Sequence, residues 1–287
     1  MPGFVCRLLG GFLFFGVAAA ASAQNLIYGD SAGSNRIDVI NRDTGALIRS
    51  CSPNKGNGRG IVVVGSIGYY TVADTNNVYK IDLSSCTDLG IAFSVSGASG
   101  LSTIAYDGTN FWIGDYSGFS PGKAYYYSPT GALLKTITLA NCGGSCDGLE
   151  YFNGKLISNR GDASTSGYDV YDTNGNLVTP QFIAPTTYSG TGIAYDGTYF
   201  YVSDIFNAKI QVYDGTSGAF VKTLTLTNGT GFLIEDLSTD YAQRTDTGGG
   251  TTTPSAVAPV PTLSDLTLLL LALLLAAYGA ASLRMRR

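Results

Sequence analysis

A twelve-residue segment occurs twice, with eight of its positions identical, and constrains the architecture more than any other feature. Ile104-Ala105-Tyr106-Asp107-Gly108-Thr109-Asn110-Phe111-Trp112-Ile113-Gly114-Asp115 recurs as Ile193-Ala194-Tyr195-Asp196-Gly197-Thr198-Tyr199-Phe200-Tyr201-Val202-Ser203-Asp204. The copies lie 89 positions apart, and Leu149-Glu150-Tyr151-Phe152-Asn153-Gly154-Lys155-Leu156-Ile157-Ser158-Asn159 falls between them, so the period is about 44 residues. Lys135-Thr136-Ile137-Thr138-Leu139 likewise recurs as Lys222-Thr223-Leu224-Thr225-Leu226. A fixed period of this length signals a structural repeat, each unit burying its apolar faces against its neighbours.

Each unit reads as four strands. An apolar strand ends in Asp-Gly or Asn-Gly, which suits the positive φ angles of a tight hairpin. A second strand ends at Asp or Asn, and a third leads to a turn with Gly near its end, as in Arg42-Asp43-Thr44-Gly45 and Ser128-Pro129-Thr130-Gly131. The fourth strand closes the unit. Aromatic and β-branched residues, with 19 tyrosines in the chain, support an all-β reading. Four-stranded units at this spacing make the blades of a β-propeller. Residues 60–96, 101–140, 148–184 and 192–227 supply four blades, and residues 25–52 supply three strands of a fifth. Phe232 to Tyr241 matches the first-strand pattern with no second strand after it, so it is expected to complete that blade and remove the open edges of the ring. The repeats resemble NHL- and SMP-30-type propellers, a resemblance of fold that implies six blades as the alternative to five.

The chain has no histidine. This removes Ser-His-Asp and Cys-His catalysis and His-based zinc sites. Between residues 24 and 265 there are 13 Lys and Arg against 21 Asp and Glu, a net charge of −8. Such a surface does not suit nucleic acid, whose phosphates require clustered cations. Cys51, Cys86, Cys142 and Cys146 form an even set. The Gly-rich loop between Cys142 and Cys146 favours a local disulfide there, leaving Cys51 with Cys86, although three pairings remain open on sequence alone.

The second strands end at Asp30, Asp74, Asp115, Asn159 and Asp204. Equivalent positions in a propeller form a ring, which suits sugar hydroxyls or a calcium ion held by oxygen. The same residues suit capping of their own turns. Glu150 and Glu235 are the only glutamates, and Glu150 stands where sister blades carry Ala105 and Ala194. With Asp236 beside Glu235, these are the catalytic candidates, since glycoside cleavage uses a carboxylate pair. A solvated channel residue or a salt bridge is the alternative role for Glu150. Asp147 and Arg160 flank the same region. Tyr116, Phe119 and Phe206 follow second strands and are the aromatic candidates for stacking on a sugar.

The two ends carry their own signals. Arg7 precedes an apolar stretch from Leu8 to Ala20, and Ala21-Ser22-Ala23 is a small-x-small site, so residues 1–23 read as a signal peptide. Residues 24–243 are the propeller domain, and residues 244–261, rich in Thr, Gly, Pro, Ala and Ser, are a flexible linker. Val260-Pro261-Thr262-Leu263-Ser264-Asp265 is followed by an uncharged run from Leu266 to Leu283, then by Arg284-Met285-Arg286-Arg287. The run has 18 residues, about the minimum for a transmembrane helix. Motif, helix and basic tail together resemble the IPTL-type C-terminal sorting domain, a relative of the PEP-type signals. Val260 replaces the usual Ile, and Asp265 stands where Glu is common. The resemblance covers residues 260–287. It implies export, temporary anchoring in the inner membrane, and processing by an exosortase-like or related enzyme before the protein reaches the periplasm, outer surface or exterior. The expected function is therefore a non-catalytic binding or structural protein of the envelope or matrix, with exopolysaccharide or an envelope protein as partner. A carboxylate-dependent glycoside hydrolase or a metal-dependent lactonase-like hydrolase is the alternative.

Overall fold

The computed structural model describes residues 25–244, apart from 34–35, 99, 116–121, 144–145, 161–166 and 186–187. The expected signal peptide and sorting domain lie outside the described residues, and no described helix is long and apolar enough to cross a membrane.

Twenty strands form five antiparallel four-stranded sheets. The first blade holds β1 (Leu26–Ser31), β2 (Arg36–Asn41) and β3 (Leu47–Cys51). The second holds β4 (Gly58–Val64), β5 (Ile67–Val72), β6 (Asn77–Asp82) and β7 (Thr87–Ser94). The third holds β8 (Leu101–Tyr106), β9 (Phe111–Asp115), β10 (Gly122–Tyr127) and β11 (Leu133–Leu139). The fourth holds β12 (Leu149–Phe152), β13 (Lys155–Asn159), β14 (Tyr168–Asp172) and β15 (Leu177–Ile183). The fifth holds β16 (Gly190–Tyr195), β17 (Tyr199–Asp204), β18 (Lys209–Asp214) and β19 (Phe220–Thr225). β20 (Ile234–Ser238) pairs antiparallel with β1 and supplies the innermost strand of the first blade. The molecule is a five-bladed propeller closed by its own C-terminal strand, as the repeat pattern predicts.

The core lies between blades rather than within them. On β9, Phe111 and Ile113 join the cluster shared with the second blade, through Val62, Val78 and Phe93. Trp112, one residue out of phase, joins the cluster shared with the fourth blade, through Leu149, Leu156 and Tyr171. A strand's two faces thus serve two different cores, which is why the second strands read as continuous apolar runs.

A second kind of joint operates at the rim. The turn before each outermost strand packs against the outermost strand of the preceding blade. Gly45, Gly175 and Gly218 have φ of 75°, 87° and 68°, and each sits where an added Cβ would strike a carbonyl, of Thr225, Thr138 and Phe182 respectively. At Gly131, with φ of 83°, the added Cβ would strike the Phe93 side chain instead. The second blade has Cys86 there instead, with φ of 56°. Cys86 is bonded to Cys51 at the end of β3, Cα to Cα 5.2 Å. One covalent joint therefore stands where the other four blades use glycine. Cys142 and Cys146 form the second disulfide, between β11 and β12, Cα to Cα 5.7 Å.

Candidate functional site

The five inner strands run in the same direction and crowd the axis. β4 and the segment following β20 make a parallel bridge at Val63 and Asp240. Glycines make the approach possible. An added Cβ on Gly60 would lie 2.8 Å from Ile104 N and Thr103 Cα, and one on Gly192 would strike the Asp236 Cα. Polar side chains fill the remaining space. Alternate residues of the closing segment receive alternate amides of β4 and the residue after it: Ile61 N donates to Asp236 Oδ2 at 3.3 Å, Val63 N to Ser238 Oγ at 2.9 Å, and Gly65 N to Asp240 Oδ1 at 2.8 Å. These side chains do between blades what a neighbouring backbone does within a sheet. Thr103 Oγ1 donates to Asp236 Oδ2 at 2.8 Å and accepts from Leu149 N at 3.1 Å, which extends the network to the third and fourth blades.

Asp236 is fully buried, and burial raises its pKa well above the usual carboxylate range. It is a structural hub at mid-axis. The axis therefore has two mouths, an upper one where the inner strands begin and a lower one where they end.

At the upper mouth, Arg59 Nη1 pairs with Glu235 Oε1 at 2.6 Å, with side chains 13% and 5% exposed. Burial raises the Glu235 pKa, and Arg59 opposes the rise. Asp147 belongs to the same group. Its Oδ1 is buried without a hydrogen-bond partner, and its pKa is pushed up to about 7, first by burial and then by the Glu235 charge, against the pull of Arg59. Two carboxylates and one guanidinium thus meet around one end of the axis. Arg59 was not among the sequence candidates. Its signal is the Gly58-Arg59-Gly60 triplet at the start of a first strand.

Glu150 lies at the other end. It is 2% exposed and is held by the segment that follows β20. Oε1 accepts from Tyr151 N at 2.7 Å, from Arg244 Nη1 at 3.0 Å and from the Tyr241 hydroxyl, while Oε2 accepts from Tyr195 N at 3.1 Å. Burial pushes its pKa up, and Arg244 and Tyr241 pull it back. Of its anticipated roles the structure shows the salt bridge, with Arg244. Arg244, expected to open the linker, belongs to the fold. A shallow cavity of about 100 Å³ opens beside it, between Arg42, Asp196, Asp240 and Arg244. The carboxylates grouped by sequence are thus split between two mouths, and Arg160 pairs elsewhere, with Asp169 of its own blade at 3.0 Å.

The second-strand residues are used one by one. Asp30 is fully buried beside Gly58. Asp115 accepts from the Tyr125 hydroxyl at 3.0 Å. Asn159 Oδ1 accepts from Gly148 N at 3.3 Å, and Asp204 Oδ1 accepts from Asn207 Nδ2 at 2.8 Å. Asp74 is exposed in the turn after β5. For Asp115, Asn159 and Asp204 these are local bonds within one blade or its entry. Among the described residues there is no grouping of three or more Asp, Glu or Cys side chains arranged to hold a metal ion. Phe206 is 73% exposed in the turn between β17 and β18, while Tyr116 and Phe119 lie outside the described residues.

No protein-family model matches the chain, and no curated protein matches it. Among solved structures, the chain is similar to a chain of a nidogen/laminin complex, at 10% identity with a TM-score of 0.52, over 76% of this chain and 99% of that one. It is also similar to Kuenenia stuttgartiensis hydrazine synthase, at 12% identity with a TM-score of 0.46, over 76% and 75% of the two chains. The likeness to the nidogen/laminin chain is one of fold alone.

Proposed function

We propose that this protein is an exported, non-catalytic propeller of the cell envelope or extracellular matrix, tethered in transit by its C-terminal segment, with carbohydrate as the leading ligand class. One observation carries the reading: the inner carboxylates anticipated as catalytic are committed to holding the ring together. Asp236 bridges blades, Glu150 is locked by Tyr241 and Arg244, and Glu235 is paired with Arg59. The exposed ring of Phe206 offers a stacking surface on the upper side. The sorting motif, the 18-residue apolar run and the basic tail support export and processing by an exosortase-like enzyme.

The test is a thermal-shift screen of the full chain in mild detergent against calcium and a panel of polysaccharides, with product analysis of each glycan. Stabilisation by one glycan without cleavage, lost in Phe206→Ala, is the expected result. Cleavage of any glycan would replace this reading with the second one, a carboxylate-dependent hydrolase. That reading draws on Asp147, whose pKa of about 7 beside Glu235 suits a general acid. It requires Asp147→Asn and Glu235→Gln each to abolish turnover while the protein stays folded.

A further inference from the structure

Among the cations of the described ion pairs, Arg244 is the least exposed. Its side chain is 5% exposed, and its Glu150 partner is 2% exposed. Nη1 donates to Glu150 Oε1 at 3.0 Å, and Nη2 donates to the Tyr151 carbonyl at 2.8 Å. The guanidinium carbon lies 4.2 Å from the Tyr241 ring centroid and 5.2 Å from that of Tyr195. The planar cation thus has hydrogen-bond acceptors at its edge and aromatic rings within cation–π distance. Arg42 also pairs with a carboxylate near a tyrosine, Asp196 and Tyr201, but at 25% exposure and 5.9 Å from the ring it is a surface pair.

The receptor is assembled from several blades. Tyr195 belongs to the fifth blade, and Glu150 and Tyr151 to the fourth. Tyr241 is fixed by its bonds to Glu150 and to Tyr106 N of the third blade, and its ring meets Tyr106 edge-on at 5.6 Å. Asp240 is anchored on Gly65 of the second blade. The occupant belongs to no strand; it caps the 3-10 turn Tyr241–Gln243, its backbone N–H donating to the Tyr241 carbonyl at 3.4 Å.

We propose that the lower mouth is a guanidinium-binding site, filled in cis by Arg244 and matched to an arginine side chain on a peptide when that residue is withdrawn. The proposal stands apart from the carbohydrate reading, which concerns the upper side.

Chemical rescue tests it. In the full chain, Arg244→Ala should lower the melting temperature by on the order of 10 °C, because it strands a buried carboxylate. L-arginine amide at millimolar concentration should restore several degrees. L-lysine amide at the same concentration should not, since a point charge on a flexible stem cannot reproduce a planar contact with two separate acceptors. Glu150→Gln combined with Arg244→Ala should abolish the response. If Arg244→Ala does not fold, it and Arg244→Gln are refolded with and without L-arginine amide, and recovery only with arginine supports the site. A folded variant that ignores arginine, or responds equally to lysine, overturns the proposal. So does failure of both variants to refold in arginine amide.

Discussion

Asp147 shows how one residue's surroundings set its behaviour. Its carboxyl titrates near 7 in the fold and near 4 in an unfolded chain. The folded protein therefore binds the extra proton, and its stability falls as pH rises from about 4 to about 7, then stays level. Asp147→Asn should remove this loss. The variant should match the parent at acid pH and exceed it above neutrality by about 2 kcal/mol, less than the full shift implies because solvent reaches the side chain. Denaturant melts between pH 4 and 9 would show it, and parallel curves would refute it. Asp236 carries the opposite expectation. Asp236→Ala leaves the Ile61 amide and Thr103 hydroxyl without their acceptor in a buried site, a loss of about 2–4 kcal/mol. Local sequence gives neither result, because both environments are made by residues from other blades.

At the level of the strand, β20 explains what was legible and what was not. Its pairing with β1 follows from a first-strand pattern without a second strand, so ring closure can be read from the repeat. Its polar alternation, Asp236, Ser238, Asp240, is also written in the sequence, but it looks like a solvated face until β4 is placed opposite. Ser238→Ala removes one rung of that ladder and leaves the Val63 amide buried without an acceptor, which should cost about 1–3 kcal/mol by chemical denaturation. The rim joints behave differently. Gly175→Ala puts a Cβ against the Thr138 carbonyl at positive φ, so it should destabilise by about 2 kcal/mol or more. Gly154 also has positive φ but faces open space, so Gly154→Ala should cost about 1 kcal/mol, backbone strain only. Equal effects at the two sites would mean that the joints contribute nothing. Turn glycines are easy to find in a sequence. Which of them press on a neighbouring blade is decided by the ring.

For the molecule as a whole, the Cys51–Cys86 bond closes a sequence separation of 35 residues and ties the first blade to the second. Replacing both cysteines with serine should cost about 3 kcal/mol under oxidising conditions and nothing further under reducing ones, read from denaturation midpoints. The blade count was legible because repeats are a local pattern. The two axial mouths were not, since Arg59, Asp147 and Glu235, or Glu150, Tyr195 and Arg244, meet only after five sheets have closed. Closure by β20 also has a mechanical consequence. β1 begins and β20 ends on the same side of their antiparallel pair, so tension between the two chain ends peels that pair open one rung at a time. Tension on the C-terminal end against a ligand held elsewhere on the body enters instead at the axis. It is shared among the blades that grip Asp240, Tyr241 and Arg244, so the same strand is weak to one direction of pull and strong to the other.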